Sequence, residues 1–200
     1  MIIDIYNTTN QYEIIYADPP WKYGGSGGTK WSPASEYYQT MSFDELKGLP
    51  VKQISNPASC LLFMWIPAPI IPQGIELAET WGFKYITCGF VWYKKRANVG
   101  NYTMSGCEQL FIFKRGKIPA DRVRNPGTIQ WYESSESEVH IESITRHSAK
   151  PPEFAKRIKQ MFPKSKCIEL FSRQERIGWD HFGNEILPAP KMTEMNELLH

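Results

Sequence analysis

The stretch that decides the fold is residues 13–21, which read EIIYADPPW. Its first half, Glu13 to Ala17, is a short apolar run that predicts a strand. The strand must end at Asp18-Pro19-Pro20, because proline has no N–H to donate to a neighbouring strand. In open α/β sheets ligands bind at the carboxyl ends of strands, so an acid, two rigid prolines and Trp21 at this point indicate a pocket. A Pro-Pro turn with a packing indole is the alternative interpretation.

The residue types of this loop suit chemistry on an aromatic amine. The exocyclic nitrogen of adenine is a poor nucleophile because its lone pair is delocalised into the ring. A carboxylate from Asp18 and a carbonyl from Pro19 could accept the two amine hydrogens and localise that lone pair. Trp21 could stack on the purine, which is worth about 1–3 kcal/mol per base. Such a site needs no metal, and we expect none.

The rest of the chain alternates strands and helices. The continuous apolar run Ser59 to Ile66 is typical of a parallel strand covered on both faces. A helix with Pro72 near its start and Gly82 as its stop should follow, then strands at 83–93 and 108–113 around a loop at 94–106. Ser42 and Glu45 form a capping box, and a helix at 151–162 leads to a strand at 166–171. This order predicts one α/β domain over residues 1–200. Residues 118–146 show no assignable pattern.

Composition and charge narrow the class of protein. With 42% hydrophobic and 22% charged residues, the chain can close a core. Its net charge is only +2, yet residues 94–124 hold eight basic side chains against two acidic ones. Basic flanking segments suit contacts to phosphates, although a solvated strand rim would look the same.

Several classes are excluded by what the sequence lacks. The four cysteines and four histidines show neither C-x-x-C pairs nor metal-ligand spacing, so a structural zinc and a disulfide framework are not expected. The apolar run at 60–71 contains Pro67 and Pro69 and is far shorter than the roughly twenty residues that a membrane span needs. The N-terminus has no signal-peptide pattern, so we expect a cytoplasmic protein.

Several motifs in order resemble one family. They are Asp-Pro-Pro-Trp at 18–21, Tyr-Gln-Thr-Met-Ser at 38–42, Phe-Met-Trp at 63–65, Trp-Gly-Phe at 81–83, His-Ser-Ala-Lys-Pro at 147–151, Glu-Leu-Phe-Ser-Arg at 169–173 and Gly-Asn-Glu at 183–185. With these motifs the chain resembles the DPPW-type adenine-N6 methyltransferases of the MT-A70 family, over almost its whole length. The resemblance implies a Rossmann-like methyltransferase fold in permuted order, with a mixed, mainly parallel sheet between helices. It also implies S-adenosylmethionine as cofactor and nucleic acid as partner.

The resemblance also assigns roles to positions of this chain. The catalytic loop is Asp18, Pro19, Pro20 and Trp21, with Asp18 also near the methionine end of the cofactor and Lys150 at the cofactor carboxylate. The other expected cofactor contacts, to its ribose and adenine, are Asp4, Ile5, Glu169, Leu170, Phe171, Arg173, Gly183, Asn184 and Glu185. The expected substrate-binding residues are Tyr38 and Glu108 on the side of the target base, and Lys94, Lys95 and Arg146 near the nucleic-acid backbone. The chain departs from the family's eukaryotic pattern at Gln174-Glu175-Arg176, just after Arg173.

Alternatives differ in substrate and in activity. A catalytically inactive nucleic-acid-binding partner subunit would share the fold and the basic segments, but should have lost Asp18 or Lys150, and both are present. An enzyme acting on a small molecule or on a protein glutamine would leave the basic segments without a polyanionic ligand. The chain looks like compact bacterial or phage members, which favours DNA over RNA as substrate. A homo-oligomer or a partner subunit stays open.

Overall fold

The computed structural model describes residues 1–22, 40–98, 102–103, 105–123, 130–135 and 150–183. The strands are β1 (Ile14–Ala17), β2 (Ser59–Ile66), β3 (Lys84–Asn98), β4 (Ser105–Gly116), β5 (Trp131–Glu133), β6 (Cys167–Leu170) and β7 (Asp180–Phe182). The helices are α1 (Phe43–Lys47), α2 (Val51–Ile54), α3 (Ile71–Thr80) and α4 (Pro152–Met161), with a 3₁₀ turn at Ala68–Ile70. The predicted strands and helices around 13–17, 59–66, 72–82, 151–162 and 166–171 are therefore confirmed to within two residues.

The strands form one sheet in the order β5-β3-β4-β2-β1-β6-β7. β1 pairs in parallel with β2 on one side and with β6 on the other, and β6 pairs in parallel with β7. β4 is antiparallel to both β2 and β3, and β5 is parallel to β3. The sheet is thus mixed but mainly parallel, as in Rossmann-like methyltransferases. Because the chain passes from β1 to β2 on one side and returns to β6 on the other, the topological switch point lies between β1 and β6.

Both faces of the sheet are covered, which explains the unbroken apolar run of β2. Leu62, Met64 and Ile66 pack into a cluster with residues of α1, α2 and α3 on one face. Leu61, Phe63 and Trp65 pack into a second cluster with residues of α4 on the other. Alternate residues of a strand point to opposite faces, so a strand buried on both sides needs apolar residues at every position.

Local signals set the ends of the helices. The Ser42 hydroxyl accepts a hydrogen bond from the Glu45 backbone N–H at 3.3 Å, and the Glu45 carboxylate accepts from the Ser42 N–H at 2.7 Å. This confirms the predicted capping box before α1. Pro72 lies in the first turn of α3. Gly82 follows that helix at φ +89°, a backbone conformation that residues with a Cβ rarely adopt.

The predicted loop at 94–106 is wrong for most of its length. β3 continues to Asn98 and β4 already begins at Ser105, so Lys94 and Lys95 lie on a strand. Ile66, the last residue of β2, pairs with Gln109 of β4, which in turn pairs with Val91 of β3. The part of β3 after Val91 and the part of β4 before Gln109 therefore extend beyond β2. These two segments pair mainly with each other and form a ribbon. Charged residues are poor strand formers on their own. Here they lie between two residues of β3 that pair with β4, Tyr93 with Cys107 and Asn98 with Ser105.

No helix within the described ranges is long and apolar enough to cross a membrane.

Candidate active site

The candidate site lies at the carboxyl ends of β1 and β6, at the switch point. Asp18 follows the last residue of β1, and Glu169 lies on β6 in register with Tyr16. Alternation along β1 places Tyr16 and Asp18 on the face that α4 covers, because Tyr16 belongs to the apolar cluster of that face. Lys150, just before α4, reaches the same place.

The loop after β1 is held by its own backbone and by the Trp21 side chain. The Trp21 N–H donates to the Pro19 carbonyl at 2.8 Å, and the Met41 N–H donates to the Pro20 carbonyl at 2.8 Å. The Trp21 indole N–H donates to the Trp65 carbonyl at 3.3 Å, and only 7% of the residue is exposed. These bonds act together with the two prolines to define the path of the loop. Stacking of Trp21 on a purine stays a prediction, and in this structure the indole anchors the loop in the core.

Four charged side chains form an alternating row across the site. The Lys150 ammonium lies 2.9 Å from the Asp18 carboxylate and 3.2 Å from the Glu108 carboxylate. Glu108 also pairs with Lys94, whose ammonium lies 4.7 Å from the centre of the Trp92 ring. The Lys150 side chain is only 8% exposed. The row joins β1, β3, β4 and the segment before α4, and its formal charges sum to zero.

Burial and neighbouring charges shift the pKa values within this row. Burial raises the pKa of Asp18, and the attraction of Lys150 offsets that rise only in part. Burial would also raise the pKa of Glu108, but the ammonium groups of Lys150 and Lys94 outweigh it and lower that pKa. For Lys150, burial opposes the charge, yet the two carboxylates prevail and raise its pKa. Lys150 therefore stays protonated at neutral pH, while Asp18 is a better proton acceptor than an exposed aspartate.

Glu169 belongs to a second cluster on β6 and β7. Its carboxylate accepts a hydrogen bond from the Arg176 guanidinium at 2.8 Å and lies 3.8 Å from the ring of His181, its register partner on β7. Burial raises the pKa of Glu169, and the charge of Arg176 counteracts this. Burial lowers the pKa of His181, which favours a neutral ring. A buried carboxylate held by a guanidinium at the end of a strand is a ready acceptor for ligand hydroxyl groups.

The backbone turns sharply after β6, and the chain after β7 packs closely against that turn. Phe171, the first residue after β6, has φ +61°, so the chain turns sharply there. Gly183 lies so close to Ser172 that an added Cβ would be 2.2 Å from the Ser172 carbonyl oxygen. Only glycine allows the chain after β7 to approach the turn after β6 this closely.

The N-terminal residues border this region from the outer side of β7. Ile2 forms a bridge with His181, and Tyr6 makes an edge contact with Phe182. Asp4 is exposed and accepts hydrogen bonds from the Asn7 amide and from the Tyr6 N–H. These bonds, mainly the one from Asn7, lower the pKa of Asp4. Ile5 is buried in the core. The expected position of Asp4 and Ile5 beside a cofactor adenine agrees with this location and stays a prediction.

The structure brings some of the predicted site residues together and separates others. Asp18, Lys150, Glu108 and Lys94 are in contact, although Lys94 was expected in a loop near the nucleic-acid backbone. Lys95, one residue further along β3, points to the opposite face of the ribbon and is exposed. Leu170 is 1% exposed and belongs to the core. The predicted residues Tyr38, Arg146, Asn184 and Glu185 lie outside the described residues.

The donor set fits S-adenosylmethionine. This cofactor carries a carboxylate, an ammonium, a sulfonium and a ribose diol, and therefore needs a cation, anions and a hydroxyl acceptor close together. Lys150 supplies the cation, while Asp18 and Glu169 supply carboxylates on two adjacent strands. The chain at Gly183 packs against the turn after β6, next to Glu169. In the described part of the chain, no three His, Cys, Asp or Glu side chains cluster as a metal site would require.

Reasoning from the sequence missed three residues of this region. Arg176 and His181 contact Glu169, and the Trp65 ring lies 5.5 Å from the Lys150 ammonium. For Arg176 the sequence did contain a signal. Residues 174–176 differ from the family's eukaryotic pattern directly after a binding motif, and such a difference indicates that the contacts there have changed. For His181 no signal was available, since the register of β6 and β7 is a property of the folded sheet.

Comparisons with known proteins find relatives across most of the chain. The family model described as MT-A70 matches residues 12–185. A protein of Mycoplasma sp named Type II methyltransferase M.MunI is 38% identical over 208 residues, which cover 94% of this chain and 84% of the relative. The mouse N(6)-adenine-specific methyltransferase METTL4 is 25% identical over 94% of this chain and 40% of its own length. The human N(6)-adenosine-methyltransferase catalytic subunit METTL3 is 22% identical over 88% of this chain and 28% of its own.

Proposed function

The chain belongs to the MT-A70 family and is an adenine-specific methyltransferase, and we propose that it transfers the methyl group of S-adenosylmethionine to N6 of adenine in DNA. The observation on which this proposal depends most is the contact between the Asp18 carboxylate and the Lys150 ammonium, 2.9 Å apart at the carboxyl end of β1. An inactive partner subunit has no need to keep a partly buried acid in contact with a buried cation. Their retention supports an enzyme.

Asp18 and Pro19 would act on the target amine. The Asp18 carboxylate would accept a hydrogen bond from one N6 hydrogen and draw the lone pair of that nitrogen out of conjugation with the ring. The Pro19 carbonyl already accepts from the Trp21 N–H, which fixes its direction, and its second lone pair could accept the other amine hydrogen. The raised pKa of Asp18 favours it as the first acceptor when N6 loses a proton after the new N–C bond has formed.

Lys150 and Glu108 would set the electrostatics of this step. The Lys150 ammonium favours the ionised form of the partly buried Asp18 carboxylate, and Glu108 with Lys94 keeps the row of charges neutral. Preset charges of this kind need no rearrangement when a reaction changes the charge of a bound group. Glu108 lies on β4, which β2 separates from β1 in the sheet, and there it could contact the target base.

S-adenosylmethionine, when bound, supplies an electrophilic methyl group on a sulfonium centre. Lys150 and Asp18 would hold its amino-acid end, and Glu169 its ribose hydroxyls. Asp4 and Ile5 would border its adenine, and Phe171 and Gly183 would lie beside it. These assignments are supported by the charges and by the location of the residues at the switch point.

DNA is favoured over RNA by the pattern of likeness. The chain is 38% identical to the Type II methyltransferase and spans most of that protein, whereas it is 22% identical to METTL3 and spans 28% of it. The pocket itself would bind a flipped or unpaired adenine in either polymer. The choice between the two polymers therefore needs a direct experiment.

Methyl transfer should be measured from labelled S-adenosylmethionine to matched DNA and RNA oligonucleotides, single- and double-stranded, with nucleoside analysis of the product. We expect N6-methyldeoxyadenosine. Asp18→Ala should lower the rate at least about 100-fold, because it removes an electrostatic acceptor aimed at the reacting nitrogen. Cofactor binding should weaken far less. Asp44→Ala, on the exposed first turn of α1, is the matched control and should retain the wild-type rate.

Each other outcome has a distinct meaning. Label found only in RNA would overturn DNA as the substrate and leave the chemistry in place. Near-wild-type turnover by Asp18→Ala would contradict the role of Asp18. A folded wild-type protein that binds S-adenosylmethionine but labels neither polymer would favour the inactive partner subunit.

A further inference from the structure

The loop between β6 and β7 is closed on itself around the buried ring of His181. The Arg176 backbone N–H donates to Nε2 of His181 at 2.9 Å, so that nitrogen carries no proton. The proton is then on Nδ1, which lies 3.1 Å from the Ser172 hydroxyl and donates to it. The Ser172 hydroxyl in turn donates to the Gln174 carbonyl at 2.7 Å. His181 is fully buried, so these bonds fix both its tautomer and the path of the loop.

The Arg176 side chain links this closed loop to Glu169. Its Nε donates to Oε2 of Glu169 at 2.8 Å. With the Gln174 carboxamide oriented so that its oxygen faces the guanidinium, that oxygen accepts from Nη2 at 2.7 Å and from Nη1 at 3.0 Å. The Arg176 side chain is 13% exposed and that of Glu169 is 10% exposed. The guanidinium is therefore held between one acceptor on the loop and one on β6.

Stability alone does not account for this arrangement. Replacing a buried ion pair by well-packed apolar side chains is often neutral or stabilising, because both ions lose their hydration on folding. Here the pair lies at the carboxyl end of β6, beside the switch point where a ligand of this fold binds. Its position indicates a role in ligand binding.

From this geometry we infer that Arg176 and His181 are positioning residues for the cofactor, which preset the Glu169 carboxylate as the acceptor for the cofactor's ribose hydroxyls. The inference rests on the proposed function insofar as the ligand is S-adenosylmethionine. His181 fixes the backbone at Arg176, and Arg176 fixes Glu169. Both contacts of Glu169 with these residues involve Oε2, so Arg176 can keep its place while a ligand hydroxyl bonds Oε1.

The first test is the affinity of the full chain for S-adenosylmethionine, measured by calorimetry for wild type, Arg176→Met and Arg176→Lys. Arg176→Met should weaken binding about 10- to 100-fold, the effect of losing a hydrogen bond between charged groups. Arg176→Lys, which keeps the charge, should recover part of the loss. With adenine-containing DNA, KM for the cofactor should rise by the same factor while kcat at saturating cofactor stays within about 2-fold. Lys156→Met, an exposed lysine on α4, is the control and should bind like wild type.

A double-mutant cycle decides whether Arg176 acts through Glu169. In a Glu169→Gln background the Arg176→Met substitution should have almost no further effect on affinity, because the carboxylate it positions is gone. Arg176→Met alone leaves the Glu169 carboxylate buried without its partner, which could prevent folding. The double variant has no carboxylate at position 169, so its affinity can be compared with that of Glu169→Gln even if Arg176→Met does not fold. A full 10- to 100-fold loss in both backgrounds would mean that Arg176 contacts the cofactor directly and would overturn the inference.

Other results separate this inference from the proposed function. Unchanged affinity in a folded Arg176→Met protein, or a fall in kcat with unchanged affinity, would overturn the positioning role while wild-type methyl transfer upheld the enzyme. Wild-type protein that binds S-adenosylmethionine and obeys the cycle, but does not methylate adenine, would uphold the positioning role and overturn the proposed function. Wild-type protein that does not bind S-adenosylmethionine would overturn both.

Discussion

Lys150→Met removes the ammonium that lies between the Asp18 and Glu108 carboxylates while keeping an unbranched side chain of similar length. At 2.9 and 3.2 Å and an effective dielectric constant of about 20, each contact is worth about 5–6 kcal/mol by Coulomb's law before desolvation. Desolvation of the ions costs several kcal/mol each and offsets much of that attraction. Breaking a buried pair by removing one partner usually costs about 3–5 kcal/mol.

The lower end of that range applies here, because 29% of the Asp18 side chain and 26% of the Glu108 side chain remain exposed. Glu108 also retains Lys94, so the loss falls mainly on Asp18. We expect Lys150→Met to lower the free energy of unfolding by about 3 kcal/mol at pH 7.5. The measurement is urea unfolding followed by tryptophan fluorescence.

The loss should also depend on pH. Without Lys150 the folded-state pKa of Asp18, already raised by burial, rises further above its unfolded value. A raised carboxyl pKa means that the folded state binds the extra proton, so the variant gains stability as pH falls from 7.5 to 5.5. One proton over two pH units is worth up to about 2.7 kcal/mol, and the gap to wild type should narrow accordingly.

Lys156→Met is the matched control, since that side chain is 68% exposed and lies 3.9 Å from Glu153. It should change stability by less than about 0.5 kcal/mol at either pH. A cost below about 1 kcal/mol for Lys150→Met, or a gap that stays constant between the two pH values, would refute the argument that Lys150 compensates a buried carboxylate.

Two further predictions concern the ribbon and the folded state. Replacing Lys94 and Lys95 by methionine should weaken nucleic-acid binding. The slope of the logarithm of the binding constant against the logarithm of the salt concentration should become flatter by about 0.7–0.9 for each lysine that contacts a phosphate. An unchanged slope would place this ribbon away from the substrate. Asp121→Asn should cost about 1–2 kcal/mol in urea unfolding at pH 7, because Asp121 accepts bonds from the Ser165 hydroxyl and from the backbone N–H groups of Lys164 and Ser165. Burial alone would raise the Asp121 pKa, but these bonds lower it. The difference in free energy of unfolding between wild type and Asp121→Asn should therefore be present above about pH 4 and vanish below it. A difference that persists in acid would contradict this.

The strands nearest the site could be predicted because their signals are local. The apolar run before Asp18 and the two prolines after it define the end of β1 within the sequence itself. The unbroken apolar run of β2 likewise indicates burial on both faces, and the structure confirms it. In each case the side chains of one segment contain the information.

The ribbon of β3 and β4 could not be predicted in the same way. The strand signal of β3 ends with its aromatic and β-branched residues near Tyr93, yet pairing with β4 continues to Asn98. The stability of those last residues comes from the partner strand and from the pairing of Lys94 with Glu108, fourteen residues apart in the chain. Strand β5, three residues long, depends in the same way on its pairing with β3.

By itself the sequence determined the strand–helix alternation, the loop that presents Asp18, and, through the resemblance of its motifs, the family. Only the tertiary structure decided which charges meet. Lys150 pairs with Asp18 across 132 residues of chain, and Arg176 is joined to Glu169 through a loop that closes around His181. The physical reason is that propensity and motif chemistry act over a few residues, whereas charge pairing and burial depend on distances in space that the register of the sheet sets.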